Sequence, residues 1–147
     1  MLLDIPMDVQ KKDVDLDALV GFDFEKEAPK YDTALVSEAI DGFLGDLDKA
    51  ERPVILVGGG VRIAGALREL REVGDLLKIP IFPTWNALDT VTSDYGYYGG
   101  RIGTYGGPGR NFGLQNSDLL LGVGCRFSGR ITGGNVSSFA RAAKKYA

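Results

Sequence analysis

Apolar positions recur along this chain with two spacings, one typical of helices and the other of buried strands. Asp32 or Thr33 can cap a helix whose apolar side chains recur at helical spacing as far as Leu47. The continuous β-branched run from Val54 to Val57 is typical of a strand covered on both faces of a parallel sheet. The pattern then predicts, in order, a helix at 63–77, a strand at 79–83, a helix at 108–116, a strand at 118–123 and a helix at 136–146.

This alternation predicts the α/β fold class with a parallel sheet. Strands 54–57 and 118–123 are expected to lie parallel in that sheet. The predicted order stops on a helix, where a further strand is expected, so the sheet is expected to be incomplete at its C-terminal end.

The first third of the chain has a weaker pattern. Residues 1–10 are interpreted as the end of a buried strand that Pro6 stops. Residues 11–31 have neither helical nor strand periodicity. They are interpreted either as an extended, acidic linker that crosses another surface or as a disordered tail.

Composition narrows the function classes. A net charge of −3 argues against nucleic acid as the main partner, because a phosphate backbone requires a basic surface. There is no histidine, so the chain can supply neither a Ser-His-Asp nor a Cys-His apparatus. The single cysteine, Cys125, cannot form an intrachain disulfide and has no base beside it, so we expect a small buried hydrophobe in a protein of the reducing cytoplasm. No apolar run approaches the roughly 20 residues that span a membrane.

The stretch from Tyr98 to Asn135 combines many glycines with four arginines. Backbone without Cβ can approach a ligand closely, and guanidinium groups bind phosphate oxygens in pairs of hydrogen bonds. The stretch therefore indicates a nucleotide-binding rim at the end of a parallel sheet. A set of tight turns with solvated arginines is the alternative. Three polar side chains here, Asn111, Gln115 and Asn116, are expected to fix a helix against neighbouring loops.

Two glycine-rich segments follow predicted strands. Gly58, Gly59 and Gly60 come directly after the first strand, but their spacing to Gly65 is not that of the dinucleotide fingerprint, and an ordinary tight turn explains them almost as well. Gly122 and Gly124 come at the end of the third strand, with Arg126 and Arg130 just beyond. Two arginines four residues apart can clamp a pyrophosphate, or they can be surface residues paired with carboxylates.

Several separated motifs together resemble the central region of thiamine-diphosphate enzymes of the acetolactate synthase type. The motifs are IPMDVQ, RPVILVGGGVRIAGA, IPIFPTWNALD, GTYGGPGRNFGLQNSDLLLGVGCRFSGRITGGN and FARAAKK. The resemblance covers nearly the whole chain in the same order. It implies a Rossmann-like central domain at 32–147, preceded by the last strand of a pyrimidine-binding domain at 1–10 and an interdomain linker at 11–31.

The resemblance also implies a cofactor site and a reaction. In acetolactate synthases the central domain holds FAD in a structural role, whereas other members bind ADP or nothing there. The residues that match the cofactor-binding motifs are Gly58, Gly59, Gly60, Thr84, Trp85, Gly103, Thr104, Tyr105, Gly124, Arg126, Arg130 and Ile131. Ser128 and Gly129 replace two acidic residues of the family pattern, and Trp85 replaces a leucine.

The whole enzyme implied by the resemblance acts on a 2-keto acid with thiamine diphosphate and magnesium, as a homodimer or homotetramer. The catalytic glutamate of the first domain and the Gly-Asp-Gly metal motif of the third are absent here. This chain alone is therefore expected neither to bind thiamine diphosphate nor to catalyse a reaction. The alternatives are a stand-alone nucleotide-binding module, a sirtuin-like NAD-binding protein, against which the missing histidine counts, and a purely structural domain with an empty site.

Overall fold

The computed structural model describes residues 3–28 and 30–147. The chain divides into two compact units, Met1–Asp32 and Thr33–Ala147.

The described residues of the first unit form only short helical turns and are all exposed. They are α1 (Met7–Gln10), a 3₁₀ turn (Leu16–Ala18) and α2 (Phe24–Glu27). Asp23 caps α2, because its side chain accepts hydrogen bonds from the backbone N–H groups of Glu25 and Lys26.

The strand predicted for residues 1–10 is wrong for the part that the structure describes; residues 1–2 lie outside it. Residues 3–6 have no regular structure, and Leu3 and Ile5 are exposed. A strand needs a partner for its backbone groups, and the described residues of this unit form no strand that could provide one.

The second unit is built on a four-stranded sheet in the order β2-β1-β3-β4, and every neighbouring pair is parallel. The strands are β1 (Pro53–Val57), β2 (Ile81–Pro83), β3 (Leu119–Val123) and β4 (Lys144–Tyr146). The expected parallel pairing of the first and third strands is confirmed, with Ile55 opposite Leu121. The α/β class with a Rossmann-like parallel sheet is therefore confirmed.

Alternate residues of the strands face two separate hydrophobic cores. Val54 and Leu56 of β1 face one side with Phe82, Leu120 and Leu114, whereas Ile55 and Val57 face the other with Ile81, Val61 and Leu70. Side chains of a strand alternate between its faces, so apolar residues at successive positions require cover on both. Each fully buried aliphatic side chain contributes about 1.5–3 kcal/mol. The sheet is thus the centre of the unit.

Helices cover both faces of the sheet. The remaining helices are α3 (Thr33–Leu47), α4 (Gly60–Ile63), α5 (Leu67–Leu77), α6 (Pro108–Gln115) and α7 (Gly129–Thr132), with 3₁₀ turns at Trp85–Ala87 and Val136–Ser138. Leu70 of α5 packs on one core and Leu114 of α6 on the other. The helices predicted at 32–47 and 108–116 are confirmed.

The single helix predicted at 63–77 is instead two helices. Gly65 has a φ of +69° between α4 and α5, a conformation that ends a right-handed helix and that glycine adopts without strain. The break lets α4 follow β1 directly and α5 run back along the sheet.

The helix predicted at 136–146 is wrong. Residues 144–146 form β4, which pairs in parallel with β3. Ala140, with a φ of +41°, interrupts any continuous helix. The spacing of Phe139 and Ala143 suits a helix, but both residues are buried in the core that also holds Leu120. Pairing of β4 satisfies the outer backbone groups of β3, which outweighs the local helix preference.

Candidate functional site

A cavity of about 510 Å³ lies where β2 and β3 end and the chain enters the following loops. This is the edge at which open parallel sheets bind ligands. Most of the residues that the sequence predicted for the site line it, namely Thr84, Trp85, Gly103, Thr104, Tyr105, Arg126, Arg130 and Ile131. Asn86, Arg101, Ile102, Ser128 and Gly129 complete the lining.

Gly58, Gly60 and Gly124 do not line this cavity but join the ends of β1 and β3. A Cβ on Gly58 would lie 2.1 Å from the carbonyl oxygen of Gly124, and one on Gly60 would lie 2.9 Å from the same atom. The N–H of Gly60 donates to that oxygen over 3.1 Å. Close packing of backbone on backbone therefore accounts for these glycines, and their predicted role beside a ribose or pyrophosphate stays a prediction.

Gly59 lies beside the cavity rather than in it. A Cβ there would meet the carbonyl oxygen of Asn86 at 3.0 Å, and Asn86 lines the cavity. The glycine thus allows the turn after β1 to approach the turn after β2 closely.

The loop that carries Gly103 and Thr104 is held from two sides. The Asn111 side chain of α6 donates to the carbonyl oxygen of Gly103 over 3.0 Å and accepts from its N–H over 2.8 Å. The N–H and the hydroxyl of Thr104 donate to the carbonyl oxygen of Arg130, over 3.0 and 3.2 Å. These bonds confirm the role expected for Asn111 and place the loop against α7.

Two aromatic side chains form one wall of the cavity. The ring centroids of Trp85 and Tyr105 are 5.4 Å apart with an interplanar angle of 53°. The side chains are 58% and 61% exposed, so both remain accessible to a ligand. Exposed aromatic side chains of this kind suit the stacking of a planar ring.

Three arginines supply the charge. Arg126 and Arg130 are exposed, and Arg101 is half-buried. None of them forms an ion pair with another described residue. The alternative to a pyrophosphate clamp was that these arginines pair with surface carboxylates. The described residues do not form such pairs.

Arg101 is the charged lining residue that the motif comparison did not single out. It is one of the four arginines of the glycine-rich stretch and lies two residues before Gly103. That proximity was the signal available in the sequence. The fourth arginine of the stretch, Arg110, lies in α6 and lines an adjoining cavity.

Cys125 lies between Gly124 and Arg126 but does not supply a nucleophile. Burial raises the pKa of the thiol, against a smaller opposing effect of a hydrogen bond to the backbone of Phe127. The side chain packs, partly buried, on the core that contains Leu120. Cys125 therefore packs as a small hydrophobic residue, as expected from the sequence, rather than acting as a reactive thiol.

Residues 3–28 and 30–147 contain neither a metal-binding cluster nor a membrane-spanning helix. Within these residues no three His, Cys, Asp or Glu side chains are grouped so that they could hold a metal ion. Over the same part of the chain, no helix has both the length and the apolar character needed to cross a bilayer.

Comparisons with known proteins agree with the architecture. The family model "thiamine pyrophosphate enzyme, central domain" matches residues 40–147. The acetolactate synthase isozyme 2 large subunit of Escherichia coli K12 is 38% identical over 140 residues, which is 95% of this chain and 24% of that protein. A probable acetolactate synthase large subunit of Methanococcus aeolicus is 34% identical over 150 residues, which is 97% of this chain and 24% of that protein.

A third relative carries a different name. Glyoxylate carboligase of Escherichia coli O157:H7 is 33% identical over 138 residues, which is 90% of this chain and 22% of that protein. The chain therefore spans about a quarter of the length of the curated relatives that it matches.

Proposed function

Since this chain belongs to the family of thiamine pyrophosphate enzyme central domains, we propose that its cavity binds FAD or ADP in a protein that acts as an acetolactate synthase-like enzyme. The observation that carries the nucleotide site is the cavity at the ends of β2 and β3. The cavity is lined by three arginines that form no ion pair with another described residue and by two exposed aromatic side chains. A nucleotide needs both kinds of contact. Guanidinium groups bind its phosphate oxygens, and exposed aromatic rings stack on its planar ring.

The residues present fit such a ligand. Arg126 and Arg130 bind the pyrophosphate oxygens, and Trp85 with Tyr105 contacts a planar ring. Gly103 and Thr104 approach it through a loop that hydrogen bonds hold in place. A cavity of about 510 Å³ lies within the range of small-molecule sites.

The bound nucleotide has a structural role in this proposal. The remaining predicted residues, Gly58, Gly59, Gly60, Gly124 and Ile131, shape the backbone around it. Magnesium and thiamine diphosphate belong to the whole enzyme, where the cofactor supplies an electron sink for carbon–carbon bond formation or cleavage beside a carbonyl. The described residues of this chain provide scaffold and the nucleotide site.

The proposal extends to the substrates and assembly of the whole protein. Their names, acetolactate synthase and glyoxylate carboligase, denote carboligation of small keto acids. We infer that the whole protein takes a 2-keto acid and forms a homodimer or homotetramer in the cytoplasm. Residues 1–10 belong to a preceding domain, 11–31 to a linker and 32–147 to the central domain. The 147-residue chain by itself is inactive.

Isothermal titration of the chain with FAD, ADP and NAD in parallel tests the nucleotide site. We expect FAD or ADP to bind in the micromolar range, about −8 kcal/mol, and NAD to bind far more weakly. Binding of NAD alone supports the sirtuin-like alternative. Absence of binding by all three rejects the site and leaves a purely structural domain.

A further inference from the structure

Arg101 has an unsatisfied donor in a protein interior. Its Nε is buried and has no hydrogen-bond partner. No hydrogen bond or ion pair joins the guanidinium to another residue of the described chain. Buried polar atoms of native proteins are nearly always paired, and a charged group without a partner is especially costly. The described residues therefore leave a hydrogen-bonding position at this nitrogen that a bound acceptor can fill.

The position of Arg101 identifies where that acceptor lies. The side chain lines the cavity that Arg126 and Arg130 share, and it also lines an adjoining cavity of about 390 Å³. Arg101 thus stands where the two spaces meet.

Arg110 lines the adjoining cavity from α6. Its aliphatic stem crosses Gly100, where a Cβ would lie 2.4 Å from both Cδ and Nε of Arg110. Gly100 has a φ of +92°, so both the backbone and the missing side chain at this position accommodate the arginine. Arg110 likewise has no ion pair among the described residues.

No carboxylate is among the described residues that line either cavity. The positive charge there is consequently not neutralised by the walls, and neighbouring guanidinium groups repel each other until an anion binds between them. The planar fork of arginine matches phosphate oxygens and presents Nε–H as one of its two parallel donors.

We propose that Arg101 binds a phosphate group of the ligand at the junction of the two cavities, supported from the far side by Arg110. This inference rests on the proposed nucleotide site and specifies its ligand. The site selects for phosphate, so a nucleoside diphosphate binds and the corresponding nucleoside does not bind appreciably. Arg101 is thereby a specificity-determining residue beyond those that the family motifs indicate.

The experiment is a calorimetric titration of the 147-residue chain with ADP, adenosine and inorganic pyrophosphate. The variants are Arg101→Met, Arg101→Lys and Arg110→Gln. Arg141→Gln is the matched control, because Arg141 is exposed and lines neither cavity. We expect Arg101→Met to weaken ADP and pyrophosphate about tenfold or more, as for loss of a charge-assisted hydrogen bond. Arg101→Lys is expected to have an intermediate effect, and Arg141→Gln none.

Unfolding in urea without ligand separates binding from a structural role. Arg101→Met retains the stem and removes the unpaired donor, so it should be at least as stable as the parent chain. A large loss of stability, in Arg101→Met and Arg101→Lys alike, marks Arg101 as structural and overturns the inference.

The remaining outcomes distinguish this inference from the proposed function. If the parent chain binds ADP and Arg101→Met binds it equally well, the nucleotide site stands and the role of Arg101 is wrong. If pyrophosphate binds the parent chain but not Arg101→Met while ADP and FAD fail to bind, the anion site stands and the proposed function fails. Absence of binding by every probe overturns both.

Discussion

Arginine side chains decide the chemistry of the site. Arg126 and Arg130 follow β3, lie exposed on the cavity and are unpaired within the described chain. A guanidinium without a protein partner has no hydrogen bond to break when a phosphate binds. All of its N–H donors are therefore available to the ligand.

Replacing both Arg126 and Arg130 by alanine should weaken the binding of FAD or ADP about tenfold to a hundredfold, because two charge-assisted contacts are removed. Calorimetric titration measures the change, with Arg141→Ala as the control. The stability of the double variant in urea should be nearly unchanged, since exposed, unpaired arginines contribute little to folding. Unaltered affinity rejects the pyrophosphate clamp.

Glycines decide how closely the strand ends approach each other. A Cβ on Gly58 would lie 2.1 Å from the carbonyl oxygen of Gly124 and 2.6 Å from Cα of Cys125. Both neighbours are backbone atoms, so neither can turn aside as a flexible side chain can.

Gly58→Ala should therefore lower the free energy of unfolding by about 3 kcal/mol through overpacking. Urea unfolding is the measurement. Gly109→Ala is the matched control: Gly109 lies in α6 with no atom within 4 Å of an added Cβ. The control should be neutral or raise the free energy of unfolding by about 1 kcal/mol, because alanine favours the helix. Equal effects at the two positions contradict the account of the strand junction.

At the scale of elements, α3 is joined to the edge strand β4. Asp46 of α3 accepts hydrogen bonds from the Lys144 ammonium and the Tyr146 hydroxyl of β4. Phe43 packs edge-to-face on the ring of Tyr146 with centroids 5.5 Å apart. The hydrogen bond from Lys144 is the largest cause that lowers the pKa of Asp46, and the bond from Tyr146 is the next largest. The Asp46 carboxylate in turn raises the pKa of Lys144 to about 12.

The sign of the pH dependence follows from these shifts. A carboxyl group whose pKa is lower in the folded state stabilises the fold above its unfolded pKa, and the contribution is lost as pH falls through the folded pKa. Asp46→Asn should thus be less stable than the parent chain at neutral pH, and the difference should shrink on acidification. Urea unfolding over a descending pH series tests this.

Asp48→Asn serves as the control for that series. Asp48 is exposed, lies two residues after Asp46 and makes no side-chain bond to β4. It should leave the stability at neutral pH nearly unaltered. A constant difference between Asp46→Asn and the parent chain at every pH speaks against the ionic contact.

Another contact between elements aligns the two central strands. Asp118, which the sequence predicted as the first residue of the third strand, instead lies just before β3. Its carboxylate accepts from the N–H groups of Glu51 and Arg52 over 2.9 Å each, immediately before β1. Partial burial acts to raise the pKa of Asp118, but the backbone hydrogen bonds and the charge of Arg52 together lower it. The side chain thus caps the start of β1, while the backbone of Asp118 bonds to Arg52 and Lys144.

At the scale of the whole molecule, the second unit combines a parallel sheet, helices on both faces and a cavity at one edge. The loops that follow β2 and β3 bring together residues far apart in sequence, such as Trp85 and Arg126. The parallel arrangement is the cause, because it turns the carboxyl ends of all strands to the same edge. The proposed nucleotide site is therefore a property of the assembled sheet.

The order of residues alone was enough to identify the family, the fold class and most lining residues of the cavity. Local signals suffice for these. The run Val54–Val57 predicts a strand covered on both faces, and strand ends followed by glycine and arginine predict the ligand edge. The motif resemblance identified eight residues that the structure brings to one cavity, including Thr84 and Arg126. Such patterns depend on the order of residues alone.

Three features depend on tertiary contacts: the strand at 144–146, the break at Gly65 and the unpaired Nε of Arg101. The C-terminal segment has helical spacing, yet pairing with β3 and the contacts of Tyr146 with α3 make it a strand. Whether the Nε of Arg101 has a partner depends on side chains brought close by folding. The physical reason is common to these cases: long-range pairing and burial outweigh local propensities of a few tenths of a kcal/mol per residue.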